Sequence, residues 1–386
     1  MTKELRSGYT TGACAAAGLT AALKFRLGEK VEEVKLNALD GTILTIPVAE
    51  VIGTEKGAAA KVIKFSGDDP DITNGTAVIT EFEPLEVGSE WQFVAGVGVG
   101  RITKPGLSLP PGEAAINPGP RQMMRRAAAE ILGEDAALKV TVSIPGGEEL
   151  AKRTLNPILG IEGGLSVIGT TGVLRPMSEE AFKNSLAPQI DVAKAAGFET
   201  QIFVPGKIGA RVAAEWGLPT AAVVQTSNFV GFMLEQAAEK KLEKVLLFGH
   251  LGKLAKVAAG VFHTHNRIGD GRMETIAAYG AAEGLASEKV RRVLGAATTE
   301  EALAVLEEAG LAAKVCQDLA ERAGERARRY VFGAISVGVC IVTLDGKILG
   351  VNEEAKKIGE VFGWKYRPKT QINRGTDSEQ HQTETK

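Results

Sequence analysis

The spacing of apolar positions changes along the chain. A small-residue run over 13–27, ACAAAGLTAALKFRL, reads as a helix. Short strands are expected next at 33–37, 43–48, 58–63, 77–82 and 91–97, with Asp40-Gly41 as a hairpin turn between the first two. The stretch GVGVGRITKPGLSLPPGEAAINPGP at 96–120 has five prolines and little periodicity. An aperiodic loop of this length inside a compact unit usually carries function. A further helix is expected from about 120 to 132.

From 138 onward the rhythm changes. Strands are expected at 138–144, 164–169, 199–204, 221–224 and 245–248. Helices are expected at 179–196, 208–216, 230–240 and 253–262. This alternation predicts a parallel sheet with helices on both faces, whose ligands sit at the carboxyl ends of the strands. The stretch 273–330 reads as helices. Residues 334–344 and 347–351 read as a hairpin that returns to the first unit. The expected class is α/β. An α+β domain over 1–137, completed by 331–366, precedes a doubly wound, mostly parallel domain over 138–330 with extra helices. A polar tail over 367–386 reads as disordered.

With 386 residues the chain suits two domains. A formal charge of −2 argues against nucleic-acid or membrane-surface partners. The three cysteines, Cys14, Cys316 and Cys340, are far apart, so neither a disulfide framework nor a cysteine zinc site is indicated. There is no long apolar span and no signal-like start, and a reducing cytoplasm is the natural setting.

Several turns carry candidate chemistry. Thr10, Thr11 and Gly12 open a helix, where unpaired N–H groups can either be capped or hold a carboxylate. Asp68, Asp69 and Asp71 crowd one turn and must be paired or solvated. Lys104, Asn117 and Arg121 supply donors in the long loop, and Arg121 can grip a carboxylate bidentately. Thr170, Thr171 and Gly172, with Arg175 beside them, fit a ligand-approach turn or a plain βα turn. Ser227 and Asn228 follow one strand; Gly249, His250, Gly252 and Lys253 follow another. Lys253 is followed by Leu254, so this is not a P-loop. His263 and His265 lack a third metal ligand nearby, and no metal is expected. His265 is the more plausible functional histidine.

Taken together these motifs say more than any one alone. GYTTGACAAAG, GDDPDIT, TKPGL, GEAAINPGPR, RTLNPILGIEGGLSVIGTTGV, TSNF, GHLGKLAK and THN, in that order, resemble the CbiD family of cobalt-precorrin-5B C(1)-methyltransferases, from about residue 5 to about 363. The resemblance implies methyl transfer from S-adenosylmethionine to C-1 of cobalt-precorrin-5B, giving cobalt-precorrin-6A, in anaerobic cobalamin biosynthesis. It suggests Thr10, Thr11, Gly12, Lys104, Asn117, Arg121 and Arg175 for the macrocycle's carboxylates. It suggests Thr170, Thr171, Gly172, Ser227, Asn228, Gly249, Gly252 and Lys253 for the cofactor. Asp68, Asp69, His250 and His265 are the candidate bases. A homo-oligomer and contact with neighbouring enzymes of the pathway stay open. The alternative is a non-catalytic carrier of corrinoid intermediates.

Overall fold

The computed structural model describes residues 5–364. The first helix, Thr11–Arg26, is buried on all sides from Thr11 to Leu23. Its alanines and glycines make this possible by letting the backbone lie against a sheet. A Cβ on Gly18 would stand 3.0 Å from the Thr80 hydroxyl on the strand beneath. That sheet has five strands, in the order Glu50–Gly53, Ala58–Ile63, Ala77–Pro84, Leu138–Ser143 and Gln92–Ala95. All neighbours are antiparallel except the last pair. Ala77–Pro84 alternates buried and half-buried positions, the period of a strand with one face on a core. The helix Pro118–Leu132 packs beside the first through Met123, Met124, Ala127 and Ala128.

The second sheet runs Val223–Gln225, Thr200–Val204, Lys244–His250, Ser336–Val342 and Ile348–Val351. The first four strands are parallel and the last is antiparallel. Thr200–Val204 is buried at every position, as a strand covered on both faces must be. One face is covered by Pro188–Ala195, Val230–Glu239, Leu251–Ala259 and Ala312–Tyr330. The other is covered by Lys207–Glu215 and Glu353–Val361. The α/β class, with an α+β unit before a doubly wound one, is therefore what the chain adopts.

Four expectations need correction. The strand expected at 138–144 does not open the second unit; it is an inner strand of the first sheet. The C-terminal hairpin does not return to the first unit. Ser336–Val342 lies parallel to Lys244–His250 in the second sheet instead. Residues 164–169 form only isolated bridges, Val99 with Leu165 and Ile116 with Val167. The helix expected at 179–196 is two helices, Glu179–Leu186 and Pro188–Ala195. Pro188 has no N–H to continue the first, but is well suited to start the second. The expected disordered tail lies outside the described residues.

The units meet at a small buried cluster of Ile102, Ala115, Leu159, Ile161 and Val192. Gly106 approaches so closely there that a Cβ would lie 2.6 Å from the Asp191 carbonyl.

Candidate functional site

The N-terminal threonine turn is closed by a remote segment. Thr10 N–H donates to the Gly172 carbonyl at 3.0 Å, and Gly12 N–H to the Ile168 carbonyl at 2.9 Å. Ile168 N–H donates to the Thr11 hydroxyl at 2.9 Å, while the Thr10 hydroxyl accepts from Ala13 N–H. Leu39 N–H takes the Thr171 carbonyl. Gly169 is required here, because its φ is 142° and a Cβ would fall 2.2 Å from the Thr10 hydroxyl. Thr10–Thr11–Gly12 and Thr170–Thr171–Gly172 thus face each other in the first unit. The latter set does not join the second unit's strand ends.

The acidic turn is likewise paired. Arg6 grips Asp68 through Nε and a terminal nitrogen, at 3.1 and 2.8 Å. Asp69 accepts the Met177 N–H at 2.8 Å and so ties the turn to the start of the second unit. Asp71 accepts the buried Lys64 ammonium at 2.7 Å and both donors of Thr73. Burial works to raise the Asp71 carboxyl, but the hydrogen bonds from Lys64 and Thr73 outweigh it and hold it below the usual range. In the long loop, Arg121 donates to the Ile116 carbonyl at 2.7 Å and to Glu113 at 2.8 Å, which staples the loop to its own helix. Asn117 caps that helix with its backbone and makes no side-chain cap bond. Lys104 packs its stem over Gly160. Arg175 is largely exposed, 3.7 Å from Asp40.

The carboxyl ends of the second sheet are built differently. The strand order reverses between Thr200–Val204 and Lys244–His250, and this switch point is where open α/β sheets bind ligands. Its rim is Pro205–Gly206–Lys207 on one side and Gly249–His250 on the other. His250 caps the helix Leu251–Ala259. Its Nδ1 accepts Gly252 N–H at 3.1 Å, which places the proton on Nε2, 2.6 Å from Glu300. His265 is set the same way, its Nδ1 accepting Arg267 N–H at 3.2 Å. The lone pairs of both histidines are engaged.

On the next strand end, Ser227 takes a positive φ of 52° and delivers Asn228. Asn228 Oδ1 accepts Lys253 Nζ at 2.6 Å, and the Asn228 carbonyl accepts Thr264 N–H. The Thr264 carbonyl then accepts both Lys253 and Lys256 at 3.2 Å. Lys256 is buried and also donates to Asn266 at 2.6 Å, with Asp270 4.0 Å away and Asp270 itself held by Arg272. Burial, with Lys256 and Arg272 adding to it, pushes the Lys253 ammonium down. Among the described residues, Lys253 is thus a partly desolvated cation whose hydrogen bonds go to neutral oxygens. Such a group favours an incoming carboxylate.

Of the residues singled out from sequence, the structure gathers Asn228, Gly249, His250, Gly252 and Lys253 around neighbouring strand ends. Sequence reasoning gave no role to Pro205–Gly206–Lys207, nor to Lys256, Thr264 and Asn266, although these last three lie within the motifs GHLGKLAK and THN. The rim at 205–207 gains meaning only from strand order. Lys256, one turn beyond Lys253, carried a further signal, a second lysine on the same helix face. Among the described residues no group of three or more His, Cys, Asp or Glu is placed to hold a metal, and no helix is long and apolar enough to cross a membrane.

Comparison with known proteins bears on this arrangement. The CbiD family model matches residues 1–176, and the model "CbiD, C-terminal domain" matches residues 263–353. A relative from Moorella thermoacetica, named cobalt-precorrin-5B C(1)-methyltransferase, is 47% identical over 94% of this chain and 100% of its own length. One of the same name from Methanocaldococcus jannaschii is 45% identical over 90% of this chain and 96% of its own. A crystal structure of a cobalamin biosynthesis protein (cbiD) from Archaeoglobus fulgidus is 28% identical, covering 68% of this chain and 83% of that one, with a TM-score of 0.36. The chain belongs to the CbiD family.

Proposed function

We propose that this chain methylates C-1 of cobalt-precorrin-5B to give cobalt-precorrin-6A, with S-adenosylmethionine as donor, in the cytoplasm. The observation that carries the reading is near end-to-end similarity to relatives of that name, at up to 47% identity. The geometry supports a cofactor place at the carboxyl ends of the second sheet. A carbon at Gly206 would meet no atom within 4 Å, so there is room over that strand end, and Lys253 offers a cation for the amino-acid carboxylate. Asn228 and the Thr264 carbonyl hold Lys253 in place, and His250 fixes the helix on which it rides. When bound, S-adenosylmethionine supplies a methyl group already activated on sulfur. What remains for the protein is to align the ring carbon and exclude water, effects that reach several kcal/mol. The methyl enters as a cation, so the macrocycle must give up one proton; of the four candidate bases, His250 and His265 have their Nδ1 lone pairs engaged, while Asp68 is held by Arg6 and Asp69 by the Met177 N–H.

Calorimetry with S-adenosylmethionine tests the cofactor assignment. Binding is expected, and it weakens in Lys253→Met. A folded wild-type chain that takes up a corrinoid but no S-adenosylmethionine would be a carrier, and the proposal would fail.

A further inference from the structure

Lys256 is a buried charge that the proposed cofactor contacts leave unused. Its side chain is 1% exposed, and it sits one turn along the helix Leu251–Ala259 from Lys253. Its ammonium donates to the Thr264 carbonyl at 3.2 Å and to Asn266 Oδ1 at 2.6 Å, and Asp270 lies 4.0 Å away. All three partners are oxygens, as the three protons of an ammonium require, so the group is a cation. The segment 264–270 is wrapped around it. Burial disfavours a charge, and an apolar side chain would fill the same space without that penalty. The charge is therefore the feature that needs a reason.

Its place relative to Lys253 supplies one. The Thr264 carbonyl takes a hydrogen bond of 3.2 Å from each lysine, so the two ammonium groups lie within two hydrogen-bond lengths of each other. Thr264 N–H donates to the Asn228 carbonyl at 2.8 Å, while Asn228 Oδ1 holds Lys253. Asn228, Thr264 and Lys253 thus close a ring of hydrogen bonds, and Lys256 pins one member of it from the interior. Among the described residues, the other charged groups around Lys253 are Asp270 and Arg272, which bind each other, with Glu274 and Glu300 beyond Arg272. Glu300 also takes His250 at the start of the helix, and Arg326 packs against Gly260 at its far end. One carboxylate, Asp270, cannot neutralise Lys253, Lys256 and Arg272 together. The surplus positive charge draws in a carboxylate, and repulsion from Lys256 makes Lys253 release its proton more readily.

We propose that Lys256 is a positioning residue of the cofactor's carboxylate site: it fixes the Thr264 carbonyl that seats Lys253 and adds a second positive charge behind it. The inference rests on the proposed cofactor place and deepens it. Calorimetry from pH 7 upward tests it, with S-adenosylhomocysteine as the probe, because the demethylated cofactor keeps its carboxylate and withstands alkali. Lys256→Met should weaken binding about tenfold at pH 7. The alkaline midpoint of affinity should at the same time move up toward 10.5, because Lys253 has lost its like-charged neighbour. The probe's own amine titrates alike against wild type and variant, so the difference belongs to the protein. Lys256→Gln keeps a donor for the Thr264 carbonyl, and it carries the same two expectations if Lys256→Met does not fold. 5′-Methylthioadenosine, which lacks the amino-acid end, should bind wild type and variants equally. A loss of affinity with an unmoved midpoint marks a merely structural residue and overturns the proposal. Unchanged affinity at pH 7 overturns it too, as does a loss that 5′-methylthioadenosine shares. A wild type that binds neither probe removes the cofactor place itself, and this inference with it.

Discussion

The turn at 10–12 and the strand ends around Asn228 and Lys253 spend their hydrogen bonds in opposite ways. In the first, the N–H groups of Thr10 and Gly12 and both threonine hydroxyls are used up by residues 168–172 and the helix itself. In the second, a half-buried ammonium is held by an amide oxygen and a carbonyl, with no carboxylate among the described residues to neutralise it. Both regions start helices and both are rich in small polar residues. What separates a structural turn from a ligand-ready one is whether a remote segment has already supplied the acceptors.

The largest expected effect breaks the first region. A Cβ on Gly12 would lie 2.5 Å from Pro120 and 2.9 Å from the Ile168 carbonyl. Gly12→Val should therefore cost about 3 kcal/mol in urea unfolding, an overpacking penalty. The affinity of the folded fraction for S-adenosylmethionine should stay within about twofold; a larger loss would mean the turn takes part in binding. In the second region the pattern inverts. Lys253→Met should weaken S-adenosylmethionine binding about thirtyfold or more, roughly 2 kcal/mol for a charge-assisted hydrogen bond. Unfolding stability should hold or rise, since a desolvated charge is removed. An unchanged dissociation constant would remove Lys253 from the site.

Thr11→Val sharpens the contrast at smaller scale. It deletes the acceptor for Ile168 N–H and should cost about 1 kcal/mol of stability, with cofactor affinity unaltered. The smallest effect is on pH. Because burial lowers the Lys253 pKa, the folded chain gives up this proton before the unfolded chain does. Unfolding free energy should therefore gain from Lys253 as pH rises between the lowered value and 10.5. Affinity should fall over the same window, since only the ammonium attracts a carboxylate. Lys253→Met should lack the fall, and a wild type with flat affinity there would contradict the assignment.

Local structure was legible in the sequence to the extent that its causes are local. Glu33–Asn37 was bounded correctly because alternation defines it, and Ala58–Ile63, which does not alternate, because turns flank it. Partnership between distant segments was not legible. The strand Leu138–Ser143 looks the same whether it ends one sheet or begins another, and Ser336–Val342 carries no mark of its neighbour. The site shows the same limit. Lys253 stands out as a lysine after a glycine-rich turn, but Thr264 enters through its carbonyl, which any residue has. Pro205–Lys207 matters because the strand order reverses beside it. Thr10 and Thr170 belong to similar triplets, and nothing in either says that the two segments meet.

Methyl transfer itself is the most direct test. The purified chain is incubated without oxygen with cobalt-precorrin-5B and S-adenosylmethionine carrying a labelled methyl, and the corrinoid is read by mass spectrometry and NMR. One labelled methyl should be gained, at C-1, and Lys253→Met should slow the gain at limiting cofactor. A corrinoid recovered at its starting mass after incubation with folded wild-type chain would contradict the account.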